Sequence, residues 1–315
     1  MKNLLQKIFS VKNSPDGLFK LVYLCGMCFR IRVKRMKLGI AYNLFDGEEL
    51  LESSLKSVRE AADYICVIYQ TESYYGNKAT VGLEDLLHGL QKKGLIDECF
   101  LYERDFSKQK NKQIFEREKR DIGLRLCKKN GMTHFLSMDV DEFYDAKQLN
   151  DIKNFIVRKN LDSTACSIYE YLKEPCCRII DGYTFQTSGE YSSYVPFITK
   201  IRRWGKQRHA GKFFPTYVDP CRSVKCSGKF YLFPVQKVVM HHMATIRKNL
   251  DAKYANSNYQ SDNSSEMSQK LEQIKKDILE WDFEKTRLDA NHALFNGKVV
   301  KLVENKFDIN INSSM

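Results

Sequence analysis

The chain has 315 residues, of which 43% are hydrophobic and 12% aromatic, and 51 Lys and Arg against 39 Asp and Glu give a formal net charge of +12. This composition excludes a disordered or fibrous chain and suffices for one large α/β core with an appended subdomain, while the basic balance favours acidic partners such as nucleotide diphosphates, anionic lipid headgroups or nucleic acid. Ten cysteines are scattered through the chain without a convincing secretory signal and read as cytosolic thiols; Cys25-Gly26-Met27-Cys28 has no second pair at zinc-ribbon spacing.

Leu18 to Phe29 is apolar, but Lys20 interrupts it and it is shorter than the roughly 20 residues that span a bilayer. In Arg30 to Lys37 basic and apolar residues nearly alternate. Residues 1–36 therefore read either as an arm lying on an anionic membrane surface or as a strand or hairpin with a solvated basic face. Leu38 to Tyr42 reads as a buried strand that breaks at Asn43-Leu44-Phe45-Asp46-Gly47. Glu48 to Ala62 follows as a helix, with Leu50, Leu51, Leu55 and Val58 on one side. Tyr64 to Tyr69 is a second strand, Val81 to Lys93 a helix, and Glu98 to Tyr102 a third strand. Asn111 to Lys129 is a charged helix, stopped by Asn130-Gly131. Strands alternating with helices imply βαβ units and a parallel sheet, whose ligands bind beyond the carboxyl ends of the strands.

The next strand is the centre of the chain: Thr133 to Tyr144 is mostly apolar and delivers Asp139, Asp141 and Glu142 within four residues. In an extended chain, residues i and i+2 project to the same side, so Asp139 and Asp141 would face one point while Val140 turns into the core. Two carboxylates without a soft ligand suit Mn²⁺ or Mg²⁺, with positions left for phosphate oxygens. Later, Gln236 to Arg247 reads as a β-branched strand ending in His241-His242, either of which could complete the cation site with nitrogen and tilt it toward Mn²⁺. Adjacent strand residues point oppositely, so one of the two would face the site. Arg247, expected on the following helix, would neutralise a pyrophosphate.

Taken together, the strand, the Asn43-x-x-Asp46-Gly47-Glu48-Glu49 helix start, the second strand with Ile68 to Ser73, and the strand ending Asp139-Val140-Asp141-Glu142-Phe143 resemble the GT-A glycosyltransferases. The likeness extends through Pro196 to Arg222 and the His-His stretch, over most of Lys37 to Asn258. It is nearest the family 2-like and family 92-like enzymes of bacterial lipopolysaccharide and capsule pathways. It implies a Rossmann-like α/β fold, with a mostly parallel sheet flanked by helices. By the same resemblance Asp139 and Asp141 hold a metal and the donor's diphosphate, and Ala41, Asn43 and Gln70 lie near the base and ribose. Family 2 enzymes commonly carry an acidic residue and a D-G-S turn after the second strand; this chain has Gln70-Thr71-Glu72-Ser73, which leaves the base open. Their Gln-x-x-Arg-Trp has Lys200 in place of Gln before Arg203-Trp204, and Trp204 would either stack on a sugar or fill a subdomain core.

The acceptor side needs a carboxylate base, for which Glu170, Glu174, Glu190 and Asp219 are candidates; Glu170, after the next strand (Thr164 to Leu172), is favoured, beside Asp141 as the catalytic carboxylate of the metal site. Asp219-Pro220-Cys221-Arg222 is a turn carrying a potential phosphate-binding Arg. Ala146 to Lys159 and Glu266 to Leu279 read as helices, Asn256 to Ser265 as a flexible loop over the donor, and Lys298 to Glu304 as a final strand. The expected organisation is a membrane-facing arm (1–36), a GT-A domain (37–258) and a C-terminal helical extension with a tail (259–315). The expected activity moves a sugar from a nucleotide-diphosphate donor to a lipopolysaccharide, capsule or lipid-linked glycan acceptor, in the cytoplasm at the inner face of the membrane. Rival readings are a nucleotidyl or sugar-phosphate transferase using the same acidic pair, and a non-enzymatic basic module for membranes or nucleic acid. No zinc finger, RNP sequence or basic recognition helix favours nucleic acid.

Overall fold

A computed structural model describes residues 9–13, 19–32, 35–104, 112–179, 194–210, 219–226, 228–256, 265–281 and 300–311. Glu190 and most of the expected donor loop, residues 257–264, lie outside them. In chain order, β1 (Phe9–Asn13), β2 (Phe19–Leu24) and β3 (Met27–Arg32) form a separate three-stranded antiparallel sheet. Then come β4 (Leu38–Leu44), α1 (Glu48–Arg59), β5 (Tyr64–Tyr69), α2 (Leu83–Lys92), β6 (Glu98–Leu101), α3 (Lys112–Lys129) and β7 (His134–Asp139). They are followed by β8 (Glu142–Phe143), α4 (Ala146–Lys159), β9 (Ser163–Tyr171), β10 (Cys177–Ile179), β11 (Tyr194–Lys200), β12 (Phe230–Phe233) and β13 (Val239–His242). The described chain closes with α5 (Leu250–Ala255), α6 (Ser265–Glu280) and β14 (Val300–Leu302).

The main sheet runs β14-β10-β9-β11-β7-β4-β5-β6, with β12 and β13 parallel to β9 and β8 paired to β13. From β7 through β4 and β5 to β6 all pairings are parallel, as the alternating pattern requires; β11 enters antiparallel between β7 and β9. This is the expected α/β architecture, a sheet flanked by helices.

Strand β4 explains how both faces are covered. Leu38, Ile40, Tyr42 and Leu44 enter one buried cluster with Leu51, Leu55 and Val58 of α1, while Ala41 enters another with Ile122, Leu124 and Leu126 of α3. Each fully buried leucine contributes about 1.5–3 kcal/mol by leaving water. A Cβ on Gly123 would lie 2.4 Å from the Cβ of Ala41, so a glycine there lets α3 approach the sheet. Helix α4 begins where the Asp145 carboxylate accepts from the Gln148 amide at 3.0 Å and ends at Asn160 in the left-handed conformation. Helices α5 and α6 and Trp281 pack on Leu172, Cys177 and Ile179 at the far sheet edge. No helix among the described residues is long and apolar enough to cross a membrane.

Three local expectations change. Strand β13 is only four residues long because residues 235–237 form a turn. Helix α5 starts at Leu250 with Asn249 as its cap, which leaves Arg247 in the connection before it. Trp204 is 79% exposed, so it fills no core.

Candidate active site

The site lies at the carboxyl edge of the parallel strands, where registry assembles it. Asn43 of β4 is paired with Asp139 of β7, Leu44 with Tyr69 just before Gln70, and His242 of β13 with both Glu170 and Glu142. Strand β7 ends at Asp139 and residues 140 and 141 form a turn, with Val140 buried as expected. Side-chain alternation therefore stops at Asp139, and the two aspartates have separate cationic partners.

Asp139 Oδ2 accepts from Arg120 Nη2 at 3.0 Å and from Arg222 Nη2 at 2.8 Å. Arg222 also reaches Glu142 at 2.6 Å and Asp219 at 2.7 Å, and Arg120 reaches Glu116 at 2.9 Å and Ser137 Oγ at 2.8 Å. Asp141, buried, accepts from Arg247 Nη2 at 2.5 Å and Lys253 Nζ at 2.8 Å. Burial opposes charge on both aspartates, yet the cations prevail: Arg120 and Arg222 hold Asp139 down at about 2, and Lys253 and Arg247 hold Asp141 well below the carboxylate range. Asp141 is thus held as a negative charge, paired with Arg247 and Lys253. Burial wins at Glu142, whose carboxyl is raised despite Arg222, and at Lys119, whose ammonium is lowered to about 8.

The two histidines part. Against the cost of burial, Glu170 holds the His242 imidazole up at about 9, with Nδ1 3.0 Å from the Glu170 carboxylate and Nε2 3.9 Å from Asp141. His241 points to the other side of β13, where the Tyr171 hydroxyl lies 2.6 Å from its Nδ1, the Phe307 ring meets it edge-on, and burial lowers it to about 3. The expectation that reached both histidines narrows to His242.

The side chain of Ala41 packs under α3. Gln70 is buried, its Oε1 accepting from Lys119 at 3.3 Å and its Nε2 donating to the Glu72 carbonyl. Asn43 donates to Ser137 Oγ at 3.5 Å, but its buried Oδ1 makes no hydrogen bond. Arg247 likewise keeps two buried nitrogens, Nε and Nη1, without a hydrogen-bond partner. Its guanidinium lies against Gly47, where a Cβ would come within 1.2 Å of Nη1. Arg222, expected to bind phosphate, is spent on three carboxylates. Glu174 lies apart, beside Cys176 and Cys177, and Asp219 is tied to Arg120 and Arg222. Glu170, with its side chain 39% exposed, remains the reachable carboxylate.

Arg120, Lys119, Lys253 and Glu116 escaped the sequence reading. Glu116 and Arg120 stand at helical i,i+4 spacing, which normally marks a solvated pair; a run of buried positions on the same side of α3 is the only signal that could have separated them.

As arranged, the donor set does not fit a resident divalent ion. Oδ2 of each aspartate already faces two protein cations, and His242 is turned by Nδ1 to Glu170. Among the described residues, the triads with ligand atoms close enough for a metal are Glu174, Cys176 and Cys177, and Glu116, Asp219 and Cys221, neither of which contains the aspartate pair.

No known family profile and no curated protein matches the chain. Among solved structures, residues 1–349 of TarS from S. aureus superpose with a TM-score of 0.39 at 11% identity, over 66% of this chain and 61% of that one. A longer TarS structure matches at 0.34 and 14%, over 53% and 28%, and a TarS complex with UDP-GlcNAc at 0.29 and 13%, over 49% and 38%. The chain thus covers less than two thirds of each.

Proposed function

We propose that the chain is a glycosyltransferase that takes a sugar from a nucleoside-diphosphate donor and passes it to a lipopolysaccharide, capsule or lipid-linked glycan hydroxyl. The observation that carries the reading is Arg247: a buried guanidinium at the carboxyl edge of a parallel sheet, fixed to Asp141 by one nitrogen while two others lack partners. Unpaired buried donors are costly, and anionic phosphate oxygens would satisfy them. Asn43 Oδ1, also unpartnered, would accept from a ribose hydroxyl or a base. Breaking the sugar–phosphate bond leaves charge on the diphosphate, and Arg247 and Lys253 would stabilise it there. Glu170, the exposed carboxylate facing His242, would receive the acceptor's proton.

Calorimetric titration of UDP, GDP, CDP and CMP into the wild type, Arg247→Met and Asp139→Ala/Asp141→Ala tests the donor site. One nucleoside diphosphate should bind the wild type and lose at least about tenfold in affinity to Arg247→Met. Equal binding to both would remove Arg247 from the role. Repeating the titration with Mn²⁺, Mg²⁺ or EDTA answers the metal question, since an ion arriving with the diphosphate has to displace Arg247 or Lys253 from Asp141. Release of nucleoside diphosphate during turnover, and not pyrophosphate or nucleoside monophosphate, separates glycosyl transfer from nucleotidyl or sugar-phosphate transfer.

A further inference from the structure

The N-terminal sheet has no place in the transferase reading, and its surface points to a partner of its own. Registry aligns Phe9 with Leu24 and Leu24 with Met27, and aligns Val11 with Val22 and Val22 with Phe29. Because strand residues alternate, Phe9, Val11, Leu24, Met27, Phe29 and Ile31 share one face. All six are 40–57% exposed, and none of the four buried clusters among the described residues includes a residue of this sheet. The opposite face carries Ser10, Lys12, Tyr23, Cys28 and Arg30, with the Lys12 ammonium 5.9 Å from the Tyr23 ring. A three-stranded sheet with one uncovered apolar face is marginal by itself in water.

Charge selects the occupant. Residues 1–36 contain eight Lys and Arg and a single acidic residue, Asp16. A second copy laid on the first would bring two such basic segments together, whereas an anionic bilayer receives apolar side chains at its headgroup boundary and draws cations to its phosphates. A sheet is thin enough for cations on its far face to stay within about one Debye length, roughly 8–10 Å, of the lipid charge. Stable attachment generally needs two signals, and an apolar face with a polybasic segment supplies both.

We propose that β1 to β3 form a membrane-docking sheet, with the face bearing Phe9, Phe29 and Ile31 seated in the headgroup region of an anionic bilayer. The proposal goes beyond the transferase reading and stands without it. It is tested by co-sedimenting the full chain with phosphatidylcholine vesicles, with and without phosphatidylglycerol, over a range of salt. The wild type should bind the anionic vesicles strongly, bind neutral ones weakly, and release as salt rises. Phe29→Ser/Ile31→Ser should lose at least about tenfold in partitioning. Lys12→Glu/Arg30→Glu should lose at least about 25-fold, at about fivefold per basic residue, with unchanged circular dichroism and nucleotide binding in both. Full binding by Phe29→Ser/Ile31→Ser would overturn the apolar seat and leave simple charge adsorption. A wild type that ignores vesicles but is a dimer by light scattering, made monomeric by that same variant, would assign the face to a second copy instead.

Discussion

Gly47→Ala isolates the contact that holds Arg247. The glycine is the N-cap of α1 at φ 79°, and an added Cβ would lie 1.2 Å from Arg247 Nη1. The left-handed backbone alone costs an alanine about 1–2 kcal/mol. The overlap forces Arg247 away from Asp141, and breaking a buried ion pair costs about 3–5 kcal/mol, toward the lower end here because Lys253 stays on the same carboxylate. A total near 5 kcal/mol is a large part of a typical domain's stability. Gly82→Ala is the internal control: Gly82 caps α2 at φ 86° with nothing within 4 Å of its Cβ. Urea unfolding should show Gly47→Ala losing about 3 kcal/mol more than Gly82→Ala, and the excess should vanish in an Arg247→Met background. Equal losses in the two glycine variants would refute the claim that Gly47 seats Arg247.

Other outcomes rest on the buried charges. Removing Arg222 leaves Glu142 and Asp139 short of their shared cation, so Arg222→Met should cost about 3–5 kcal/mol in denaturant unfolding, with partial recovery when Glu142→Gln is added. Burial keeps His134 and His241 neutral, lowering them to about 4 and about 3 from an ordinary 6.5. Below pH 6.5 the unfolded chain therefore binds protons that the fold refuses, and stability should fall by about 1.4 kcal/mol per pH unit for each histidine. His242, held up at about 9 against its burial, has the opposite sign: its stabilisation is complete below pH 6.5 and is lost as pH rises through 9. Urea midpoints measured from acid to alkaline pH should peak near 6.5, and a flat acid limb would show that the two buried histidines are solvated.

The parallel half of the fold was legible because each element carried its own period: Leu50, Leu51, Leu55 and Val58 declare α1, and the apolar run before Asp139 declares β7. The acidic edge was legible for the same reason. Its geometry was not, because alternation holds only while the chain stays extended, and Asp139 is the last strand residue. The counter-charges were hidden more deeply. Nothing local distinguishes Arg120 or Lys253 from a surface cation; the first is buried and the second half-buried against tertiary partners 19 and 112 residues away.

The separation between these acids and their cations also sets an order of assembly. During synthesis Asp139 finds Arg120 already made, but Glu142 waits 80 residues for Arg222, and Asp141 waits 106 for Arg247 and 112 for Lys253. The nascent parallel sheet must keep that edge in water until more than two thirds of the chain has emerged, because closing it earlier would bury bare carboxylates. The amino-terminal half should therefore not fold by itself: a ribosome-stalled chain ending before residue 222 should remain open to protease at the end of β7 while its opposite end is already protected.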